Sequence, residues 1–244
     1  MKNSKGILKL VVLSMLIAIG VVISPILRFE GMCPMAHFIN IVCSVLLGPW
    51  YSLLCATLIG IIRMALMGIP PIALTGAIFG AFLSGVFYKM SKGKILFAVL
   101  GEIIGTGIIG AILSYPVMTI FWGKEGLSWL FYVPSFICGT LIGGSIAYVF
   151  LRKLAASGAL AEFQAKLGSV GYEYKSGVVS DAAAIGALGV VCYLVIEILT
   201  GIFNMTAPVW GYISWSVLAV FLITAVVYVI LKRKELKNNE GKAE

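Results

Sequence analysis

The sequence is poor in charged residues. Only 11% of its 244 residues are Asp, Glu, Lys or Arg, whereas 61% are hydrophobic. Soluble domains carry about 25% charged and about 45–50% apolar residues, so this chain has too few polar side chains to cover a water-exposed surface. Its apolar runs are continuous, and the longest exceed the roughly 18–20 residues that cross a bilayer as a helix. The alternating pattern of a β-barrel is missing. The composition predicts an all-α polytopic membrane protein.

The motifs of nucleotide hydrolysis and of common enzymes are also missing. No GxxxxGK[ST] occurs, so the sequence offers no P-loop for ATP. The single histidine, His37, excludes an HExxH motif and a His-rich metal cluster. No GxSxG elbow of a serine hydrolase occurs. We therefore expect neither an enzyme nor a metal or cofactor site.

Charge placement predicts how the chain crosses the membrane. The apolar runs predict eight spans, at about 7–27, 35–48, 49–67, 72–90, 95–121, 130–152, 182–203 and 207–231. With the N-terminus inside, the inner segments hold fifteen Lys and Arg residues and the outer segments only Arg28 and Lys124. This bias predicts an N-in, C-in orientation and explains the net charge of +8 without a nucleic-acid partner.

The composition changes after Lys153. We predict a six-span core over residues 1–153, a cytoplasmic linker over 154–181, an appended transmembrane hairpin over 182–231 and a charged cytoplasmic tail over 232–244. Small residues recur at spacing four within the core, as in Gly76-Gly80-Ser84 and Gly139-Gly143-Ala147. Such ridges allow close helix packing in lipid. They serve either packing within the core or the docking of a partner.

Polar groups inside spans are expensive and identify candidate binding residues. His37, Asn40 and Ser44 share one face of the second span; they bind a polar ligand or form an interhelical hydrogen bond. Arg63 either extends to the interface or lines a cavity. Pro116 predicts a helix break in the fifth span beside two further candidates, Ser114 and Tyr115, and Trp122 is an interfacial or ligand-contacting aromatic residue.

Two carboxylates lie within predicted spans. Glu102 falls in the inner half of the fifth span, and Glu197 in the outer half of the seventh. A carboxylate inside a membrane is a candidate for proton relay or for a packing hydrogen bond. Their different depths do not suggest a common relay.

Several motifs together resemble one family. Pro34-Met-Ala-His37-Phe-Ile-Asn40, Leu-Gly48-Pro49, Gly60-Ile-Ile-Arg63 and Gly76-Ala-Ile-Phe-Gly80-Ala81 resemble ThiW, and the run from Gly105 to Pro116 is similar to the fifth span of that family. ThiW is the substrate-binding S component of an energy-coupling factor (ECF) transporter. The resemblance covers about 1–153, the whole six-span core.

The resemblance implies a six-helix bundle in the prokaryotic plasma membrane that holds a vitamin precursor in an outward cavity. Its partners would be a transmembrane scaffold subunit and two cytoplasmic ATPases. The implied substrate is hydroxyethylthiazole, the thiazole part of thiamine, or its phosphate. The residues that we expect to bind it are His37, Asn40, Arg63, Ser114, Tyr115 and Trp122. The ridge that S components often use to dock the scaffold corresponds here to Ser14-xxx-Ala18, followed by Val22.

Other functions remain open at this point. The cavity could suit intact thiamine, pyridoxine or another small vitamin. The chain could be a secondary transporter coupled to an ion through Glu102 or Glu197. An intramembrane enzyme acting on a lipid is the third alternative, but the sequence has no acid-rich metal motif and no nucleophile–base pair.

Overall fold

Every regular element in the described part of the chain is helical. The structure is a computed structural model that describes residues 2–26, 33–172, 178–202, 205 and 207–240. Arg28, on which the predicted charge bias partly rests, lies outside these residues. The helices are α1 Lys2–Ile26, α2 Pro34–Leu47, α3 Pro49–Met67, α4 Ile72–Met90, α5 Ile95–Glu102, the π-helix π1 Ile103–Gly110, α6 Ala111–Ile120, α7 Val133–Ala156, α8 Ala159–Leu167, α9 Val178–Ile202 and α10 Val209–Glu240.

Among the described residues, six helical segments are long and apolar enough to cross a membrane. They are Lys5–Pro25, Pro49–Met67, Ile72–Met90, Ile95–Ile120, Val133–Ala156 and Val209–Glu235. Helix α2 is apolar but has only 14 residues, which is about 21 Å at 1.5 Å per residue. The hydrocarbon core of a bilayer is about 30 Å thick. The prediction of a polytopic all-helical membrane protein is therefore confirmed, and α2 is too short to cross by itself.

The chain divides into two compact units, Met1–Tyr174 and Lys175–Glu244. In the first unit α2 is the central helix: twelve of its residues are buried, and it packs against α1, α3, α4, α5, α7 and α8. In the second unit α9 and α10 pack against each other, with the Ser214 hydroxyl donating a hydrogen bond to the Glu197 carboxylate at 2.6 Å.

Small residues bring the helices of the first unit into backbone contact. A Cβ atom placed on Gly105 would lie 2.5 Å from the Gly80 Cα, so α4 and π1 touch along their main chains. A Cβ on Gly143 would overlap the Pro34 carbonyl at the start of α2, and the Ser44 and Ser84 hydroxyls are hydrogen-bonded at 2.8 Å. The ridges read from the sequence thus lie inside the bundle.

The fifth span is irregular at a different place from the one predicted. Helix α6 continues through Pro116, where a break was expected; neighbouring helices can accommodate a proline inside a membrane helix. The irregular segment is instead π1, directly after Glu102. π-helical turns are rare and frequently occur at functional sites. Here π1 places glycines against α4.

Helix α8 lies within the predicted cytoplasmic linker and packs on the core. Its buried residues Leu160, Gln164 and Leu167 share one face. On the exposed face, a hydrogen bond from the Lys166 ammonium lowers the pKa of Glu162. The Gln164 amide, 1% exposed, donates hydrogen bonds to the Val45 carbonyl at 2.9 Å and the Tyr88 hydroxyl at 3.1 Å. These bonds attach α8 to α2 and α4 within the first unit.

Candidate functional site

Three side chains from two elements converge on one carboxylate oxygen in the first unit. Glu102, 0% exposed, ends α5. Its Oε1 lies 3.0 Å from the Nδ1 of His37, and it accepts hydrogen bonds of 3.0 Å from the Asn40 amide and from the Thr106 hydroxyl. The other oxygen, Oε2, is buried and has no hydrogen-bond partner. We call these four residues the Glu102 cluster.

Helix geometry explains why residues of different predicted depth meet. Asn40 lies seven residues before Leu47, the last residue of α2, and Glu102 lies seven residues after Ile95, the first residue of α5. Both are therefore about 10 Å along their helices from the same end of the bundle. Because α2 has only 14 residues, a residue near its middle lies at a depth similar to that of Glu102.

The Glu102 cluster borders a partly open cavity. The cavity lies at the end of the bundle where α2 begins and α3 ends. Its wall is formed by Cys33, Ala36, His37, Arg63, Ile69, Ile72, Ala73, Gly76, Ala77, Thr106 and Phe136. Mostly apolar walls with a few polar groups are typical of small-molecule sites.

Arg63 lines this cavity from α3 and does not extend to the surface. Its side chain is buried, with the residue 4% exposed. The nearest polar contact is from Nη2 to the Cys33 sulfur at 3.6 Å, and the buried Nε has no hydrogen-bond partner. A buried guanidinium with so few partners is costly. It has hydrogen-bond capacity that a ligand in the cavity can use.

The six predicted binding residues occupy three different positions. His37 and Arg63 line the cavity, and Asn40 lies just behind His37 in the Glu102 cluster. Ser114 is buried and hydrogen-bonded to Thr75 at 2.8 Å, away from the cavity wall. The remaining two, Tyr115 and Trp122, are also outside that wall.

Tyr115 packs against Trp129, with their ring centroids 4.7 Å apart. Trp122 is 52% exposed in the loop after α6.

Several residues of the site were not among those predicted. Thr106 was detectable in principle because it lies four residues after Glu102, where side chains meet on a helix. Glu102 was predicted to carry a proton or to form a packing hydrogen bond, and its contacts with His37, Asn40 and Thr106 are of the second kind. Phe136 on α7 and Ile69 in the loop after α3 carry no sequence signal that separates them from other apolar residues.

The chemistry of the cavity suits a small, flat, weakly polar molecule. Because a carboxylate oxygen faces His37 Nδ1, that nitrogen carries the ring proton, and the Nε2 of a neutral imidazole is then an acceptor. Arg63 supplies donors. Phe136 and the aliphatic residues supply an apolar wall. The site can thus hold a ring that carries both a hydrogen-bond donor and an acceptor.

The fold and this cavity define a multi-pass helical membrane protein with a small-molecule site and no catalytic constellation among the described residues. A family model described as thiamine-precursor transporter protein (ThiW) matches residues 10–157. The chain therefore belongs to the ThiW family of thiamine-precursor transporters, as its sequence motifs indicated. No curated protein and no solved structure matches the chain.

Proposed function

We propose that the chain is the substrate-binding S component of an ECF-type importer and that its cavity binds hydroxyethylthiazole. The observation that carries the proposal is the presence of both Arg63 and His37 in the wall of one mostly apolar cavity. The imidazole Nε2 would accept a hydrogen bond from the hydroxyl of the ligand, and the guanidinium would donate to its ring nitrogen. Phe136 would pack against the thiazole ring.

Ligand titration of the purified chain tests this binding site. Isothermal titration calorimetry with hydroxyethylthiazole, its phosphate, thiamine and pyridoxine should show saturable binding that is tightest for the thiazole. His37→Ala should weaken binding about tenfold, as expected for one neutral hydrogen bond, and Arg63→Ala about 10- to 100-fold for a charged one. Thr119→Ala is a matched control, because the Thr119 hydroxyl bonds only its own helix. Equal affinity in all three variants would refute the site.

The proposed partners are a transmembrane scaffold subunit and two ATPases. The sequence has no P-loop, so energy from ATP has to come from other chains. Ser14, Ala18 and Val22 lie on the exposed face of α1 and form a ridge of small residues that a scaffold helix can approach closely.

Ala18→Trp tests this docking ridge. The variant should prevent co-purification with the scaffold subunit while leaving thiazole affinity unchanged, because the cavity lies elsewhere in the unit. Ile61→Trp, on the exposed side of α3, is the control and should still assemble. Assembly of Ala18→Trp at the wild-type level would show that the ridge is not the docking surface.

An ion-coupled secondary transporter is the second candidate, because the unpartnered Oε2 of Glu102 is a place where a proton could reside. It predicts uptake driven by a proton or sodium gradient in vesicles that contain this chain alone. The S-component proposal predicts binding without uptake in those vesicles. Glu102→Gln keeps the shape of the side chain but not its charge, so gradient-driven uptake that survives this substitution would exclude coupling through Glu102.

A further inference from the structure

A second cavity of about 590 Å³ lies at the opposite end of the first unit from the thiazole site. It is enclosed by the α2–α3 turn, the end of α4, the first turns of α1 and the segment after α8. Two lysines, Lys9 and Lys89, line it together with Ser44, Ser169, Tyr88 and Tyr172. Among its described lining residues there is no carboxylate. The cavity therefore combines positive charge with hydroxyl groups.

The lysines are available to a ligand. Lys9 is half-buried and holds its ammonium 5.6 Å from the centre of the Tyr51 ring. Lys89 is exposed, and its backbone carbonyl accepts a hydrogen bond of 3.5 Å from the Tyr172 hydroxyl. Within the part of the chain that the structure describes, neither ammonium forms an ion pair with a carboxylate. Two unneutralised ammonium groups beside one cavity favour an anion.

Helix α8 and the segment after it donate hydrogen bonds to two carbonyls at the end of α2. The last carbonyls of a helix carry a partial negative charge. At the end of α2, the Val45 carbonyl accepts a hydrogen bond from Gln164, and the Leu46 carbonyl accepts one of 2.5 Å from the Ser169 hydroxyl. Both carbonyls thus have donors, which offsets part of their negative partial charge beside the lysines.

Aromatic residues place the cavity at the depth of lipid headgroups. Trp50 in the first turn of α3 is 70% exposed and packs on Phe82, with ring centroids 5.0 Å apart. Exposed tryptophans on membrane proteins concentrate at the boundary between the hydrocarbon and the headgroups. A headgroup in the cavity could therefore have its acyl chains beside Trp50 and Phe82.

We propose that this cavity binds the phosphate group of an anionic phospholipid. Basic pockets between membrane helices recognise anionic headgroups in this way. Lys9 and Lys89 would neutralise the phosphate. The segment 158–172 that borders the cavity lies beyond the residues matched by the family model, whereas Lys89 lies within them. Free inorganic phosphate has the same charge chemistry and is the alternative source.

Native mass spectrometry of the delipidated full chain tests the proposal. The chain would be incubated with phosphatidylglycerol, with phosphatidylcholine or with inorganic phosphate. We expect phosphatidylglycerol to be retained preferentially. The double variant Lys9→Gln/Lys89→Gln should bind it about 25-fold more weakly, since each basic residue near an anionic lipid contributes about a factor of five. Lys153→Gln/Lys234→Gln removes the same charge from exposed positions and should bind like the wild type.

Each other outcome would overturn the proposal. Equal loss in both double variants would mean that lipid binding follows net charge and does not need the cavity. Undiminished binding in the Lys9→Gln/Lys89→Gln chain would place the lipid elsewhere. Saturable binding of inorganic phosphate, with no preference for phosphatidylglycerol over phosphatidylcholine, would identify a free-anion site. Unchanged thiazole affinity and thermal stability of both variants would show that the chain is correctly folded in each measurement.

Discussion

Gly80 is the position where a single methyl group should damage the binding site although Gly80 itself does not line the cavity. A Cβ atom on Gly80 would overlap the Thr106 hydroxyl and lie 2.8 Å from the Glu102 carboxyl carbon. Moving the two helices apart would open the main-chain contact between π1 and α4 at Gly105. Gly80→Ala therefore has to displace the Thr106 hydroxyl from Glu102 Oε1, which it now contacts at 3.0 Å.

The expected cost of Gly80→Ala follows from these contacts. Overpacking costs about 1–3 kcal/mol, and the lost hydrogen bond to a charged group about 1.5–3 kcal/mol. The better helix propensity of alanine returns about 1 kcal/mol. The net loss is about 3 kcal/mol, or a decrease in Tm of roughly 6–12 °C for a chain of this size. Because Glu102 also holds His37, thiazole affinity should fall about tenfold or more.

Thermal unfolding in detergent and calorimetric titration would measure both effects. The control is Gly211→Ala, because a Cβ at Gly211 meets nothing within 4 Å and the substitution should leave Tm unchanged or slightly raised. Adding Thr106→Ala to Gly80→Ala removes the overlapping hydroxyl, so the double variant should lose less stability than the sum of the single variants. A Gly80→Ala chain with wild-type Tm and affinity would refute the reasoning.

Two further changes test the cavity and the attachment of α8. Cys33 lines the cavity and is partly exposed. Saturating thiazole should therefore slow the alkylation of Cys33 by a maleimide at least fivefold, as measured by peptide mass spectrometry. Equal protection of the partly exposed Cys138 on α7 would contradict this expectation. Gln164→Ala removes two buried hydrogen bonds and should destabilise the chain by about 2 kcal/mol, which lowers Tm by roughly 4–8 °C. An unchanged Tm of Gln164→Glu would argue against the hydrogen bonds that the Gln164 amide donates.

The sequence predicted the membrane architecture well because hydropathy and glycine spacing are local signals. Eight apolar segments were read from the sequence, and a helix occupies the described residues of each. The Gly76-Gly80-Ser84 ridge was found by its spacing, and the structure uses it for packing inside the bundle. The choice between internal packing and partner docking needed the structure, since both uses select the same small residues.

The predicted linker contains a local signal for the buried face of α8. Leu160, Gln164 and Leu167 have the spacing of one helical face. The charged residues around them, however, favour a solvent-exposed linker. The partners of Gln164 lie on α2 and α4, more than 70 positions earlier in the chain. No sequence pattern in the linker identifies those carbonyl and hydroxyl acceptors, so the docking of α8 depends on tertiary contacts.

The position of Glu102 was the least predictable feature, and it bears on the choice between the two transport mechanisms. The depth of a residue was read from its distance to the end of its apolar run, which fails when a helix is as short as α2. In the structure, one oxygen of Glu102 has three hydrogen-bond donors, and the residue has no exposed surface. A carboxylate that couples transport to an ion has to exchange that ion with water on both sides of the membrane. Such exchange would require the His37, Asn40 and Thr106 contacts to break in each cycle. The geometry instead suits a permanent acceptor that orients His37 toward a ligand, which favours a binding subunit driven by other chains.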